Sequence, residues 1–159
     1  MDAIQAQIHN WLYNPYRLRI WNNVATSVAN STTAEFPFDT FSASNDPDAM
    51  GGTANPILPT IDVAGYYLMT CNIGAVGGVA GNAWFGRILI NGVAVTYDNL
   101  DRIDAVGAGD QIQVNFAKIM KLNRGDTISV ALFQNSGAGK NSVNGEGESW
   151  LELTLLGPA

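Results

Sequence analysis

The sequence predicts an all-β fold, a sandwich or barrel of many short strands, on three observations. From Arg17 onward, segment after segment alternates polar and apolar residues with the period of two expected of half-buried strands. Gly- and Asn-rich turns separate these segments. No second helical pattern follows the one in the first sixteen residues. Composition agrees. A chain of 159 residues is one domain's worth, and 47% hydrophobic residues can build its core. Only 14% of residues are charged, against about 25% in an average soluble domain, which excludes a globally disordered chain.

The elements follow in order. Residues 1–16 read as an N-terminal arm, and residues 17–159 as the β domain. In the arm, Ile4, Ile8, Trp11 and Leu12 fall on one face of a helix, with Tyr13 and Tyr16 beside the stripe. Asn14-Pro15 ends it, because the residue before proline disfavours the α region. A helix this short is marginal alone. Its stripe either packs back on its own domain or grips a neighbour. Arg17–Trp21 alternates as the first strand, and Glu35–Phe38 reads as a short strand whose Pro37 marks an edge or bulge. Thr60–Val63 alternates, and Tyr66–Cys71 follows Gly65. Ala83–Ile90 carries Trp84, Ile88 and Ile90 on one face and Phe85 and Leu89 on the other, so one face suits the core and one a neighbour. It runs into Asn91-Gly92, a hairpin signal because both residues tolerate positive φ. Val93–Tyr97, Gln111–Phe116, Thr127–Phe133 and Ser149–Leu156 complete the strands. The glycine-rich stretches 74–81 and 136–147 read as flexible loops at one end of the sandwich.

Several of these segments resemble a known family. Thr60-Ile61-Asp62-Val63-Ala64-Gly65-Tyr66-Tyr67 resembles the Pro-Gly-x-Tyr strand of the complement-globular-head and tumour-necrosis-factor-like jelly rolls. Ile90-Asn91-Gly92 is similar to that family's hairpin, and Leu122-Asn123-Arg124-Gly125-Asp126-Thr127-Ile128-Ser129-Val130 to its Leu-x-x-Gly-Asp segment. Ser149-Trp150-Leu151-Glu152-Leu153 stands where the family closes. Val63-Ala64 in place of Pro, and Glu152 in place of the closing Gly, depart from the pattern. Arg17–Trp21 through Phe36–Asp39 is similar to stretches that precede this domain in tailed-phage structural proteins. The resemblance implies a ten-strand jelly-roll sandwich and a homotrimer, with Tyr67, Phe116 and Trp150 at the trimer interface.

Chemistry is sparse. The chain has one cysteine, Cys71, and one histidine, His9, so neither an intrachain disulfide nor a zinc site of paired cysteines is expected. His9 is far in sequence from Cys71, which leaves no Cys-His or Ser-His-Asp arrangement to expect, and Cys71 reads as a small buried apolar residue. Ser136–Ser142 looks like a phosphate loop but lacks its first glycine and its Ser/Thr after the lysine. Asp39, Asp46 and Asp48 are weak calcium candidates beside the plainer reading of turn chemistry. Neither a cofactor nor an enzymatic activity is expected.

Eight Lys+Arg against fourteen Asp+Glu give a net charge of −6, which excludes a basic nucleic-acid footprint. No apolar run reaches membrane-span length and the start is unlike a signal peptide, so a soluble protein made in the host cytoplasm is expected. The favoured function is a trimeric decoration (cement) protein on the surface of a tailed-phage virion, anchored to the major capsid protein or another virion protein through Ile4, Ile8, Trp11, Leu12, Tyr13 and Tyr16. The alternatives are the receptor-binding head of a phage tail or head fibre, and a complement-head-like binding module.

Overall fold

A computed structural model describes Gln5 and residues 16–44, 58–76, 83–99, 103–104 and 111–159. The arm residues Ile4, Ile8, Trp11, Leu12 and Tyr13, and the acidic residues Asp46 and Asp48, lie outside them. The described strands are β1 (Arg17–Trp21), β2 (Ser27–Val28), β3 (Thr32–Glu35), β4 (Thr40–Ser44), β5 (Gly65–Val76), β6 (Ala83–Ile90), β7 (Val93–Asn99), β8 (Ile103–Asp104), β9 (Gln111–Leu122), β10 (Ile128–Gln134), β11 (Lys140–Asn141) and β12 (Ser149–Pro158). Ten form two five-stranded sheets. One runs β4-β1-β12-β5-β9; the other runs β3-β10-β6-β7, with β8 beside β6. The remaining two form a ribbon, β11-β2. All of these strand pairs are antiparallel.

The core lies between the sheets. On β5 the side chains of Tyr67, Met69, Cys71, Ile73 and Ala75 are buried at every second position. Leu151, Leu153 and Leu155 do the same on β12, and Trp84 and Ile88 on β6. Cys71 is a free, buried thiol whose pKa burial pushes up, as befits a small core residue. Each large side chain in this layer contributes roughly 1.5–3 kcal/mol by leaving water.

Two positions show why the backbone needs glycine. Asn91 and Gly92 sit at φ 54° and 74°, the left-handed pair that closes the β6–β7 hairpin. At Gly65 a Cβ would lie 2.5 Å from the Gly157 carbonyl oxygen and from Leu155 Cδ1. There β12 carries a bulge between Leu155 and Gly157, and the two backbones approach closely.

Four expectations are corrected. Glu35–Phe38 is not a strand. The ladder ends at Glu35, since Pro37 cannot donate, and Phe36 and Phe38 turn into the core with ring centroids 5.1 Å apart. Thr60–Val63 contributes a single bridge, Thr60 to Thr127, and Ile61 is pinned by bonds to Asp126 O and from Gly125 N. The 136–147 segment is built into the fold: β11 pairs with β2, and Ser136 and Ser142 are buried. Tyr16 belongs to the jelly roll rather than the arm, because its carbonyl accepts Leu155 N–H at 2.9 Å and its side chain packs on the core.

Candidate functional site

The first sheet, β4-β1-β12-β5-β9, has an outer face that no second layer of the described residues covers. Its residues follow from register. One row reads Trp21, Trp150, Asn72 and Asn115 across β1, β12, β5 and β9. The next reads Arg19, Glu152, Thr70 and Ala117, and the third Arg17, Thr154, Leu68 and Ile119.

The β1–β12 half of this face is closed by charge. Arg17 donates to Glu152 Oε2 at 2.7 Å, and Arg19 lies 3.8 Å from the same oxygen. Arg19 also donates to the Glu146 carbonyl at 2.9 Å and stacks its guanidinium 4.4 Å from the Trp150 ring. The hydrogen bond to Glu152 and then its charge hold the Arg17 pKa above its ordinary value. Such half-exposed pairs contribute roughly 0.2–1 kcal/mol each, so they order this half of the face more than they stabilise the fold. In the tryptophan row, Asn72 is buried, and its Nδ2 donates to Glu148 O at 2.7 Å.

Among the described residues the β5–β9 half is open, and at the Tyr66 end it carries an apolar group bordered by Lys121 opposite Tyr66 and by the polar row of Asn72 and Asn115. Ile119 is 59% exposed and sits directly opposite Leu68, while Tyr66 and Leu156 at the adjoining end are each 47% exposed. These apolar side chains share one face of the sheet and one end of it.

The structure separates the three residues expected at an interface. Trp150 lies on the outer face. Tyr67 is 1% exposed, its ring inside the sandwich and its hydroxyl donating to Val63 O at 2.6 Å. Phe116 pairs with Cys71 on the inner side of β9 and packs against the core. Both have inward parity, and one residue's offset turns a side chain to the other face. Tyr66, Leu68, Ile119 and Leu156, which sequence reasoning missed, have outward parity. The signal was available: on β5 every position of the same parity as Cys71 points in.

Asp39 behaves as a turn residue. Its Oδ1 accepts from Asn23 N at 2.9 Å and from Thr40 Oγ1 at 2.8 Å. Among the described residues no group of three His, Cys, Asp or Glu side chains could hold a metal ion. No described helix is long and apolar enough to cross a membrane.

Solved structures match this architecture. Eiger, a tumour necrosis factor of S. frugiperda, superposes with a TM-score of 0.62 at 13% identity, covering 92% of this chain and 96% of its own. Murine APRIL superposes with a TM-score of 0.64 at 15% identity, covering 90% of this chain and 100% of its own. The fold is a tumour-necrosis-factor-like jelly roll. Sequence comparison adds nothing to this, since no family model and no curated protein matches the chain. At these identities the tumour-necrosis-factor-like neighbours establish the architecture alone. They support the ten-strand jelly roll expected from the motifs at Gly65-Tyr66-Tyr67 and Leu122–Val130.

Proposed function

We propose that this protein is a non-enzymatic structural module of a tailed-phage virion, a homotrimeric decoration protein whose N-terminal arm anchors it to the major capsid protein or a neighbouring virion protein. The observation that carries self-association is the exposed apolar group at the Tyr66 end of the first sheet. Leu68, Ile119, Tyr66 and Leu156 stay in water unless another surface covers them. The tumour-necrosis-factor-like fold supports a binding module. The virion reading rests on the likeness of Arg17–Trp21 through Phe36–Asp39 to tailed-phage structural proteins.

Light scattering of the full chain tests the assembly. A trimer of the 16.9 kDa chain is expected, and Ile119→Lys should dissociate it while leaving the fold intact, because Ile119 is already largely exposed. A monomer at micromolar concentration would reject the trimer. Staining of purified virions tests the location: many copies per particle fit decoration, a few fit a fibre head, and none rejects the virion reading.

A further inference from the structure

At the end of the sandwich where β1 stops and β4 begins, the surface holds a cleft of about 370 Å³ lined by Asn22, Val24, Ala25, Thr26, Pro37 and Asp39. Its walls are fixed before any ligand arrives. Asn22 is 1% exposed, and both ends of its amide are used: Nδ2 donates to Thr26 Oγ1 at 2.8 Å, and Oδ1 accepts from Val24 N at 2.7 Å. Its backbone N–H donates to Ser149 O and its carbonyl accepts from Gly145 N–H. Thr26 N–H donates to Ser142 Oγ at 2.8 Å. Asp39 is held by its own N–H on Trp21 O and by two bonds into Oδ1, and no described residue bonds its Oδ2.

The chemistry of the lining selects a ligand class. No cation lines the cleft, one wall is a carboxylate, and the chain is acidic, so an anion is disfavoured. A single carboxylate with its Oδ1 engaged falls short of the six to eight oxygens a calcium ion takes. What remains is an acceptor at Asp39 Oδ2, a hydroxyl at Thr26 that donates to no described residue, and an apolar strip of Val24, Ala25 and Pro37. That pairing of hydroxyl-binding groups with a C–H surface matches a sugar ring, which has hydroxyls at its rim and C–H bonds on its faces. The volume lies at the small end of the ~300–1,000 Å³ range of ligand pockets, as a single ring needs. Beside the cleft, Trp21 directs its Nε1 to Asn23 Oδ1 at 3.2 Å and pairs across strands with Trp150, so aromatic surface continues from the rim. We infer that this cleft is a binding site for a neutral saccharide ring, with Asp39 and Thr26 taking hydroxyls and Val24 the C–H face.

The test is saturation-transfer NMR on the full chain with glucose, galactose, mannose and N-acetylglucosamine as probes, and sialic acid as the anionic comparison. Transfer to at least one neutral sugar is expected. Asp39→Asn and Val24→Lys should each weaken it about tenfold with an unchanged melting curve. Val24 is 68% exposed and its side chain bonds to nothing, so its replacement leaves the fold alone if Asp39→Asn does not. Transfer to no neutral sugar, transfer to sialic acid alone, or full binding by both variants overturns the inference. None of these outcomes bears on the trimer, whose apolar patch lies at the other end of the sheet.

Discussion

Tyr67 shows how much one side chain's direction decides. Its ring fills the core and its hydroxyl bonds to Val63 O at 2.6 Å. Burial, then the charge of Asp62, then Tyr16, pushes its pKa from 10 up to about 12. The folded state therefore favours the neutral phenol, and the sign follows. The stability this provides is complete below pH ~10, where an unfolded tyrosine also stays protonated, and is lost as pH rises through about 12. Tyr67→Phe keeps the ring, removes the hydroxyl, and leaves the Val63 carbonyl without that partner. We expect a cost of about 1–2 kcal/mol at neutral pH by denaturant unfolding. The gap between wild type and variant should shrink between pH ~10 and ~12. A gap that stays constant across that range would mean the phenol is not coupled to folding.

At the scale of elements, Gln134 at the end of β10 ties the small ribbon to the large sheet. It is fully buried, and its amide is saturated: Nε2 donates to Val28 O and Ala138 O, and Oε1 accepts from Ser136 N and Oγ. Gln134→Met keeps the size but strands those partners in the interior. It should lower unfolding free energy by about 2–4 kcal/mol and expose the 136–142 segment to proteolysis before the core melts. Equal loss of the segment and the core in one transition would show that the ribbon is not a separate unit. This network also explains what the sequence concealed. β2 and β11 have two residues each, too few for a period, and exist because Gln134, Thr26 and Ser142 hold them. Segments with clean alternation were legible: β1 and β6 carry their predicted bounds, and the Asn91-Gly92 turn has the expected positive φ. The reading of β9 stopped at Phe116, yet the strand runs to Leu122. Alternation fails there because the outward residues Ala117 and Ile119 turn apolar. The strand signal fades where the exposed apolar group of the outer face begins. The cleft was illegible for another reason: Asp39 is brought beside Asn22 by its bonds to Trp21 O and from Asn23 N, tertiary contacts that no spacing encodes.

For the whole molecule, the question is what the arm does. The strands of both described sheets lie within Arg17–Pro158, and Tyr16 joins them through Leu155 N–H. The arm's apolar stripe of Ile4, Ile8, Trp11 and Leu12 is too short to be a stable helix in water, so it should order only on docking. Docking would bury several large side chains at roughly 1.5–3 kcal/mol each, before the cost of ordering. Three arms on one trimer act at high effective concentration once the first has bound, so weak single contacts become a strong attachment. The prediction is that a truncation beginning at Tyr16 keeps the melting curve and the trimer yet fails to bind particles stripped of this protein. Trp11→Ala should weaken attachment by less than the truncation does, and by a smaller factor in a monomeric Ile119→Lys background, where the loss counts for one arm instead of three. Scattering, calorimetry and particle co-sedimentation measure the three quantities separately. A truncated chain that unfolds would make the arm part of the core. One that still coats particles would move attachment onto the jelly roll, and the outer face of β4-β1-β12-β5-β9 would then have to serve the particle rather than another copy.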